Sequence, residues 1–220
     1  SSALALLSSG LVKRYDLKTG VSAVVLDARV GLEAASEVTW RRAALSADGS
    51  TVALLYTLGS ERKSTILIWE SRTGKQLQRI DLPSIPQALA LSRDGRLLMT
   101  DPWREWDYGS RNLLEVRDVE SGSVLWSRVI QNSACVYLEP DRPIVWMFEP
   151  QPTGGEVLLR AADAKSGEFL EAEQRVLDAA VGMPSGLFSQ YLMSFSRKQP
   201  GFFLSRSNVL SKVGLNHREA

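Results

Sequence analysis

An all-β chain of repeated antiparallel units is what this sequence predicts, on three observations. First, "LSADG" (45–49) returns as "LSRDG" (91–95) and in looser form as "LEPDR" (138–142), which puts Asp48, Asp94 and Asp141 at successive intervals of 46 and 47 residues. Second, acid-x-x-[Ser/Thr]-Gly occurs four times, as "DLKTG" (16–20), "ESRTG" (70–74), "DVESG" (118–122) and "DAKSG" (163–167). The two markers keep step: Gly49 to Gly74 is 25 residues, Gly95 to Gly122 is 27, and Arg142 to Gly167 is 25. Third, the runs between markers are short and rich in β-branched and aromatic residues, with no sustained 3.6-residue apolar period. Four such runs in about 47 residues, joined by tight turns, are the sequence form of a β-propeller, whose radial blades bury their faces against their neighbours.

The elements follow in order. Residues 1–30 read as a partial blade, because the marker at Asp16 implies that the first Asp-Gly turn lies before residue 1. Residues 31–82 supply "RAALS", "TVALLYTL", "STILIWE" and "KQLQRIDL"; residues 83–130 supply "QALALS", "RLLMT", "NLLEVRD" and "SVLWSRVI". Residues 131–175 supply "CVYLE", "PIVWMFE", "EVLLRAAD" and "EFLEAEQRV". "EFLEAEQRVLDAA" (168–180) would suit a helix by composition, and phase with the repeat makes its first half a fourth strand instead. Residues 176–215 have room for a divergent blade or closing strands without clear markers, and 216–220 form a tail. That makes about five units in a single domain, at least one of them incomplete. With Ser rather than Met at position 1, the chain reads as a processed protein or a piece of a larger ring, whose other blades the rest of a longer chain would supply.

Turn chemistry supports the same architecture. In Asp48-Gly49 and Asp94-Gly95 the Asp can bond the backbone locally, and the Gly accepts the positive φ of a hairpin turn. In the second marker the acids Asp16, Glu70, Asp118 and Asp163, with the following hydroxyls, can cap backbone N–H groups. Gly20, Gly74, Gly122 and Gly167 take the left-handed position.

Composition narrows the function. Hydrophobic residues make up 44% and charged residues 23% of 220, the range of a globular chain with an ample core. With 26 basic and 25 acidic residues there is no bulk electrostatic drive toward nucleic acid or an anionic membrane, and neither is expected as a partner. The basic residues Arg197, Lys198, Arg206, Lys212 and Arg218 read as a solvated tail. Cys135, the only cysteine, precludes an intramolecular disulfide and reads as a buried, inert thiol; this suits a cytoplasmic setting and is compatible with export. No apolar run approaches the ~20 residues of a membrane helix, and "SSALALLSSG" lacks the basic leader of a signal peptide.

No catalytic set is expected. The one histidine, His217, lies in the tail, so a Ser–His–Asp or Cys–His site has no base within the fold, and one Cys with one His allows no zinc spacing. "PQPTGGE" around Gly154 lacks the Lys and following helix of a phosphate loop. No cofactor or metal is therefore expected. The loops between second and third strands are the irregular ones: 57–64, 101–112 and 149–156. The middle one interleaves Trp103, Trp106 and Tyr108 with charges including Arg104, the composition of an interface hot spot, and Arg62 and Lys63 on the neighbouring loop add a basic edge. The competing reading folds the two Trp side chains back to cap the blade.

"TILIWESRTGKQL" (65–77) resembles the third-to-fourth strand hairpin of a WD40-like repeat, with Trp69-Glu70 in place of Trp-Asp, and "ALALSRDGRLLMT" (88–100) resembles the first two strands of such a blade. Across about residues 3–175 the resemblance implies a divergent WD40-like propeller, a scaffold that binds a protein or peptide partner. The Gly-His dipeptide and the hydrogen-bond network of strict WD40 blades are missing. "DVESGSVLW" (118–126) resembles the blade signature of quinoprotein-type dehydrogenases, whose Trp docks the neighbouring blade, and this implies an alternative function as an oxidoreductase fragment. Only this unit keeps the Trp: Val24, Gln78 and Glu171 stand in its place elsewhere. A third reading is a purely structural segment with unpaired blade edges.

Overall fold

The computed structural model describes residues 2–7, 10–29, 38–59, 63–86, 88–101, 112–130, 135–139, 142–150, 156–170, 175–178, 192–195, 201–206 and 209–214. Five antiparallel sheets follow one another along these residues, each a meander in chain order. The first contains β1 (Ser2–Leu6), β2 (Leu11–Asp16) and β3 (Ser22–Asp27). The second contains β4 (Val38–Leu45), β5 (Thr51–Leu58), β6 (Ser64–Glu70) and β7 (Gln76–Leu82). The third contains β8 (Ala88–Leu91), β9 (Leu97–Asp101), β10 (Asn112–Asp118) and β11 (Val124–Ile130). The fourth contains β12 (Cys135–Leu138), β13 (Ile144–Pro150), β14 (Glu156–Asp163) and β15 (Arg175–Asp178). The fifth contains β16 (Leu192–Phe195), β17 (Gly201–Arg206) and β18 (Val209–Gly214). No helix occurs among the described residues.

Register shows which blade position each strand holds. The last residue of the first strand pairs with the residue seven further on: Leu45 with Val52, Leu91 with Leu98, Leu138 with Val145. Phe195 pairs with Phe202 in the same way, so β16 is a first strand. The acid of the second marker pairs with the first residue of the second strand: Glu70 with Thr51, Asp118 with Leu97, Asp163 with Ile144. Asp16 pairs with Ser2 on the same rule, so β1 holds a second-strand place.

The core lies between the sheets, which explains why the strands read as unbroken apolar runs instead of alternating. β5 sends Val52, Leu54 and Tyr56 toward Val12 and Ala28 of the first sheet, while Ala53 and Leu55 join Leu91, Leu98 and Val119 of the third. Leu97, Met99, Leu114 and Val116 of the third sheet then pack on Val136, Val145, Met147 and Ala162 of the fourth. First strands stand side by side where sheets meet, β4 by β8 and β8 by β12. Trp69, the residue at the WD-like position, is buried toward the first sheet.

The fourth sheet refines one expectation. Residues 168–170 do begin a fourth strand, through the Ala162–Phe169 bridge and the Leu170 N–H donated to the Ala161 carbonyl. Among the described residues the next pairing is in β15, with Leu159 opposite Arg175, a register three residues out of step with the bridge. Between these two pairings the outer side of the sheet has three residues more than β14, and the blade extends to Asp178.

Candidate functional site

All four acid-x-x-[Ser/Thr]-Gly segments fold alike. Each Gly donates its N–H to the acid's carbonyl at 2.8–2.9 Å, and each acid donates its own N–H to the carbonyl five residues on at 2.9–3.0 Å. The Gly φ angles are +73°, +70°, +71° and +74°, a region that only Gly enters without strain. The hydroxyls of Thr19, Thr73, Ser121 and Ser166 each accept the N–H two residues on, at 3.2–3.3 Å. Asp16, Asp118 and Asp163 accept further turn N–H groups at 2.7–3.2 Å, while Glu70, one methylene longer, accepts the Thr73 hydroxyl instead.

The Asp-Gly turns form a second set at the same end of the sheets. Gly49 and Gly95 have φ of +76° and +69° and donate to the carbonyls of Ser46 and Ser92. Both serines are buried, donating to Asp48 and Asp94 at 2.6 and 2.7 Å and accepting the N–H of Thr51 and Leu97 at 2.9 Å. In the second, third and fourth blades the two turns are stitched together: Ser71 N–H donates to the Ser50 carbonyl, Val119 N–H to that of Arg96 and Ala164 N–H to that of Pro143. Ser46 and Ser92 are keystones that the Asp-Gly reading passed over, although the repeated Leu-Ser before each Asp-Gly was their signal.

These carboxylates are electrostatically set. Burial pushes Asp48, Asp94 and Asp163 upward, but hydrogen bonds from serine hydroxyls and turn N–H groups outweigh it and hold all three below the ordinary aspartate value. At Asp118 the bonds from Ser121 lead, with the same result. A folded-state value below the unfolded one of ~3.9 gives stabilisation that is complete above about pH 4 and lost as pH falls through the folded values. Urea midpoints are expected to hold steady from pH 7 to about pH 5 and fall below pH 4, and Asp118→Asn with Asp163→Asn should flatten that fall. A midpoint that rises on acidification would contradict the assignment.

The fourth blade departs from this pattern. Glu139 takes the place of Ser46 and Ser92, donating its N–H to Ile144 as Ser46 does to Thr51. Its carboxylate is 3% exposed, accepts Arg142 Nε and Nη2 at 2.7 and 3.0 Å, and accepts Trp146 Nε1 at 2.9 Å. Sequence reasoning missed this trio; a Glu where its siblings carry Ser was the available clue.

The seams between blades differ from one another. Trp126 on β11 donates its indole N–H to the Ala164 carbonyl at 2.9 Å and lies over Gly167, so the expected blade-packing role is what the structure shows. Beside it Arg128 donates to the Gly167 carbonyl at 2.7 Å, and its guanidinium sits 3.8 Å from the Phe169 ring centre. Arg160 approaches the same ring at 5.2 Å and pairs with buried Glu149 at 3.5 Å. Burial lowers the Arg128 pKa against the pull of Glu149, with Arg160 adding to the decrease, and the aromatic face compensates part of that desolvation. One seam earlier, Gln78 on β7 reaches the Glu120 carbonyl at 3.4 Å from the position Trp126 holds on β11.

Of the sequence-predicted partner residues, Lys63 is exposed immediately before β6. Arg62, Trp103, Arg104, Trp106 and Tyr108 lie outside the described residues, as does Asp141. Topology still locates the connections that hold them. The 46–50, 71–75, 92–96, 119–123 and 139–143 connections, five residues each, share one end of the sheets. The strand ends joined by 59–63, 102–111 and 151–155 lie at the other. Among the described residues no three His, Cys, Asp or Glu side chains are grouped to hold a metal ion, and no helix is long and apolar enough to cross a membrane.

No family model and no curated protein sequence matches the chain, and the WD40 resemblance gains no family support. Solved structures do match. Oligogalacturonate lyase in complex with manganese aligns over 97% of this chain and 61% of its own at 9% identity, with a TM-score of 0.62. Prolyl oligopeptidase B from Galerina marginata aligns over 92% of this chain and 33% of its own at 14% identity, with a TM-score of 0.57. The β-propeller domain of the Trilobed protease from Pyrococcus furiosus aligns over 92% of this chain and 61% of its own at 10% identity, with a TM-score of 0.52. The chain spans a third to three fifths of the length of these proteins. Likeness at this identity speaks to architecture, and with the sheets, registers and turns above it gives one conclusion: the chain has a β-propeller fold of four-stranded antiparallel blades.

Proposed function

We propose that the chain is a non-catalytic propeller segment that binds a protein or peptide partner through the end opposite its repeated turns. One observation carries the reading: the two ends of the blades are built differently. At the turn end the 46–50, 71–75, 92–96, 119–123 and 139–143 connections are each five residues long, and their described residues bond largely to one another. At the other end the second-to-third strand connections vary, 59–63 and 151–155 against the ten residues of 102–111, and the longest carries Trp103, Arg104, Trp106 and Tyr108. A rigid scaffold that carries contact residues on a long, variable loop is how binding surfaces are commonly made. Aromatic and Arg residues are the types that dominate interface energetics.

The test is the double variant Trp103→Ala/Trp106→Ala, with a partner first captured by cross-linking on the full-length protein. A hot-spot pair predicts a loss of affinity of about 30-fold or more, with the thermal midpoint nearly unchanged. A lowered midpoint with retained binding would mean that the two Trp cap their blade, and the reading would fall.

The docking of Trp126 on the next blade favours a second reading, the quinoprotein-type oxidoreductase fragment. New visible absorbance together with dye-linked dehydrogenase activity after adding quinone and calcium would replace the binding reading with that one.

A further inference from the structure

The outer edge of a blade leaves a row of backbone N–H and C=O groups without a strand beside it, and native sheets commonly guard such edges with charge. The second blade follows that rule. On its outer strand β7, Arg79 and Asp81 pair at 3.3 Å with both side chains more than half exposed, and Asp81 also accepts the Thr65 hydroxyl at 2.7 Å. The third blade does not follow it. Register puts Ser127 where β7 has Arg79, Val129 where it has Asp81, and Leu113 where β6 has Thr65. Val129 is 53% exposed, Leu125 42% and Leu113 37%. The one charged residue of β11, Arg128, is committed to the fourth blade, where it donates to the Gly167 carbonyl and lies against Phe169. β11 is the end strand of its sheet, and among the described residues no strand pairs with its outer edge.

We propose that β11 is the contact strand of a homodimer, in which it pairs antiparallel with β11 of a second copy about a two-fold axis at Ser127. Symmetry and chemistry select this occupant. A two-fold axis between two copies of one edge runs normal to the sheet, makes the strands antiparallel and keeps each side chain on its own face. Residues opposed across it must share a face, so the axis falls at a residue and not between two. Ser127 is the middle residue of Val124–Ile130, so an axis there uses the whole strand. It sets Leu125, at the bulge, beside Val129 of the second copy, and brings two exposed apolar side chains together. It also sets Trp126 beside Arg128 of the second copy, ring next to guanidinium. An axis one residue on, at Arg128, would oppose two like charges. β7 rejects the same arrangement, because the middle residue of Gln76–Leu82 is Arg79.

The contact lies on the outer strand of the third blade, apart from the loop end, and does not rest on the binding reading above. One strand pair buries less than the ~1,200 Å2 of a standard interface, so a monomer–dimer equilibrium with a Kd of about 50 µM is expected.

Sedimentation velocity on the full 220-residue chain, from ~5 to ~500 µM, reads this association. Ser127→Arg/Val129→Asp transplants the guard of β7 and should weaken it at least ~10-fold, with the thermal midpoint of the dilute chain unchanged. Ser127→Cys tests the axis itself. Directly opposed residues have Cα atoms ~4.5–5.5 Å apart, within disulfide reach, so mild oxidation should give a linked dimer. The unaltered chain, with Cys135 alone, and Ser121→Cys, at an exposed turn, should stay unlinked. Trp103→Ala/Trp106→Ala should associate as the unaltered chain does, which separates this contact from the loop end. A chain that is monomeric at ~500 µM, a dimer undiminished in a folded Ser127→Arg/Val129→Asp chain, or a Ser127→Cys chain that links no better than Ser121→Cys each overturns the proposal.

Discussion

Replacing Glu139 by Ala is expected to lower the stability of the chain by about 3 kcal/mol, the lower part of the range for breaking a buried charge pair. The carboxylate is 3% exposed and accepts three bonds, two from Arg142 and one from Trp146. The Arg142 side chain is 36% exposed, so water can recover part of what it loses. Trp146 is wholly buried, and its indole N–H loses an acceptor where water cannot readily follow. Glu139→Gln separates the contributions, because a neutral amide oxygen can still accept from Trp146 while the charge facing Arg142 is gone. It should cost about half as much. Urea unfolding followed by tryptophan fluorescence measures both. A loss below about 1 kcal/mol for Glu139→Ala would mean that the trio is incidental to the fourth blade's stability.

The fold was legible because its two markers are backbone devices. Gly20, Gly74, Gly122 and Gly167 occupy one left-handed position four times over, and the acid before each closes the same ring of hydrogen bonds, so the period survives even where strand residues drift. Position in the blade was legible for the same reason, since Asp16 and Ser2 obey the pairing rule of Glu70 and Thr51. What was not legible depends on side chains meeting across blades. Gly167 and Gly74 look alike in sequence, yet one lies beneath an indole and the other faces open space. Arg128 and Phe169 are 41 positions apart and in different sheets, and nothing local announces their stack. Ser46 and Ser92 were visible as repeated letters, but their importance comes from burial, which the letters alone do not reveal. Glu139 breaks the Ser pattern in the fourth blade, and only the positions of Arg142 and Trp146 turn that irregularity into a trio.

That contrast between equivalent glycines makes the second large effect measurable. Gly167→Ala is expected to cost about 3 kcal/mol, of which roughly 1–2 kcal/mol is the price of a Cβ at φ +74°. The rest comes from displacing Trp126: the new Cβ would lie 2.8 Å from the ring, so the indole must give up its bond to Ala164 or its place over the turn. Gly74→Ala carries the same backbone strain at φ +70° but meets nothing within 4 Å, so it should cost only the 1–2 kcal/mol of strain, on the order of what left-handed backbone costs any non-Gly residue. Gly122→Ala should fall between the two, because Gln78 at 3.0 Å is a flexible side chain that can swing aside. A double-mutant cycle isolates the clash. In a Trp126→Ala background, itself weakened by about 3 kcal/mol, Gly167→Ala should cost no more than Gly74→Ala does. If the three glycine variants cost the same, or if removing Trp126 leaves the cost of Gly167→Ala unchanged, the indole is not what locks the fourth blade against the third.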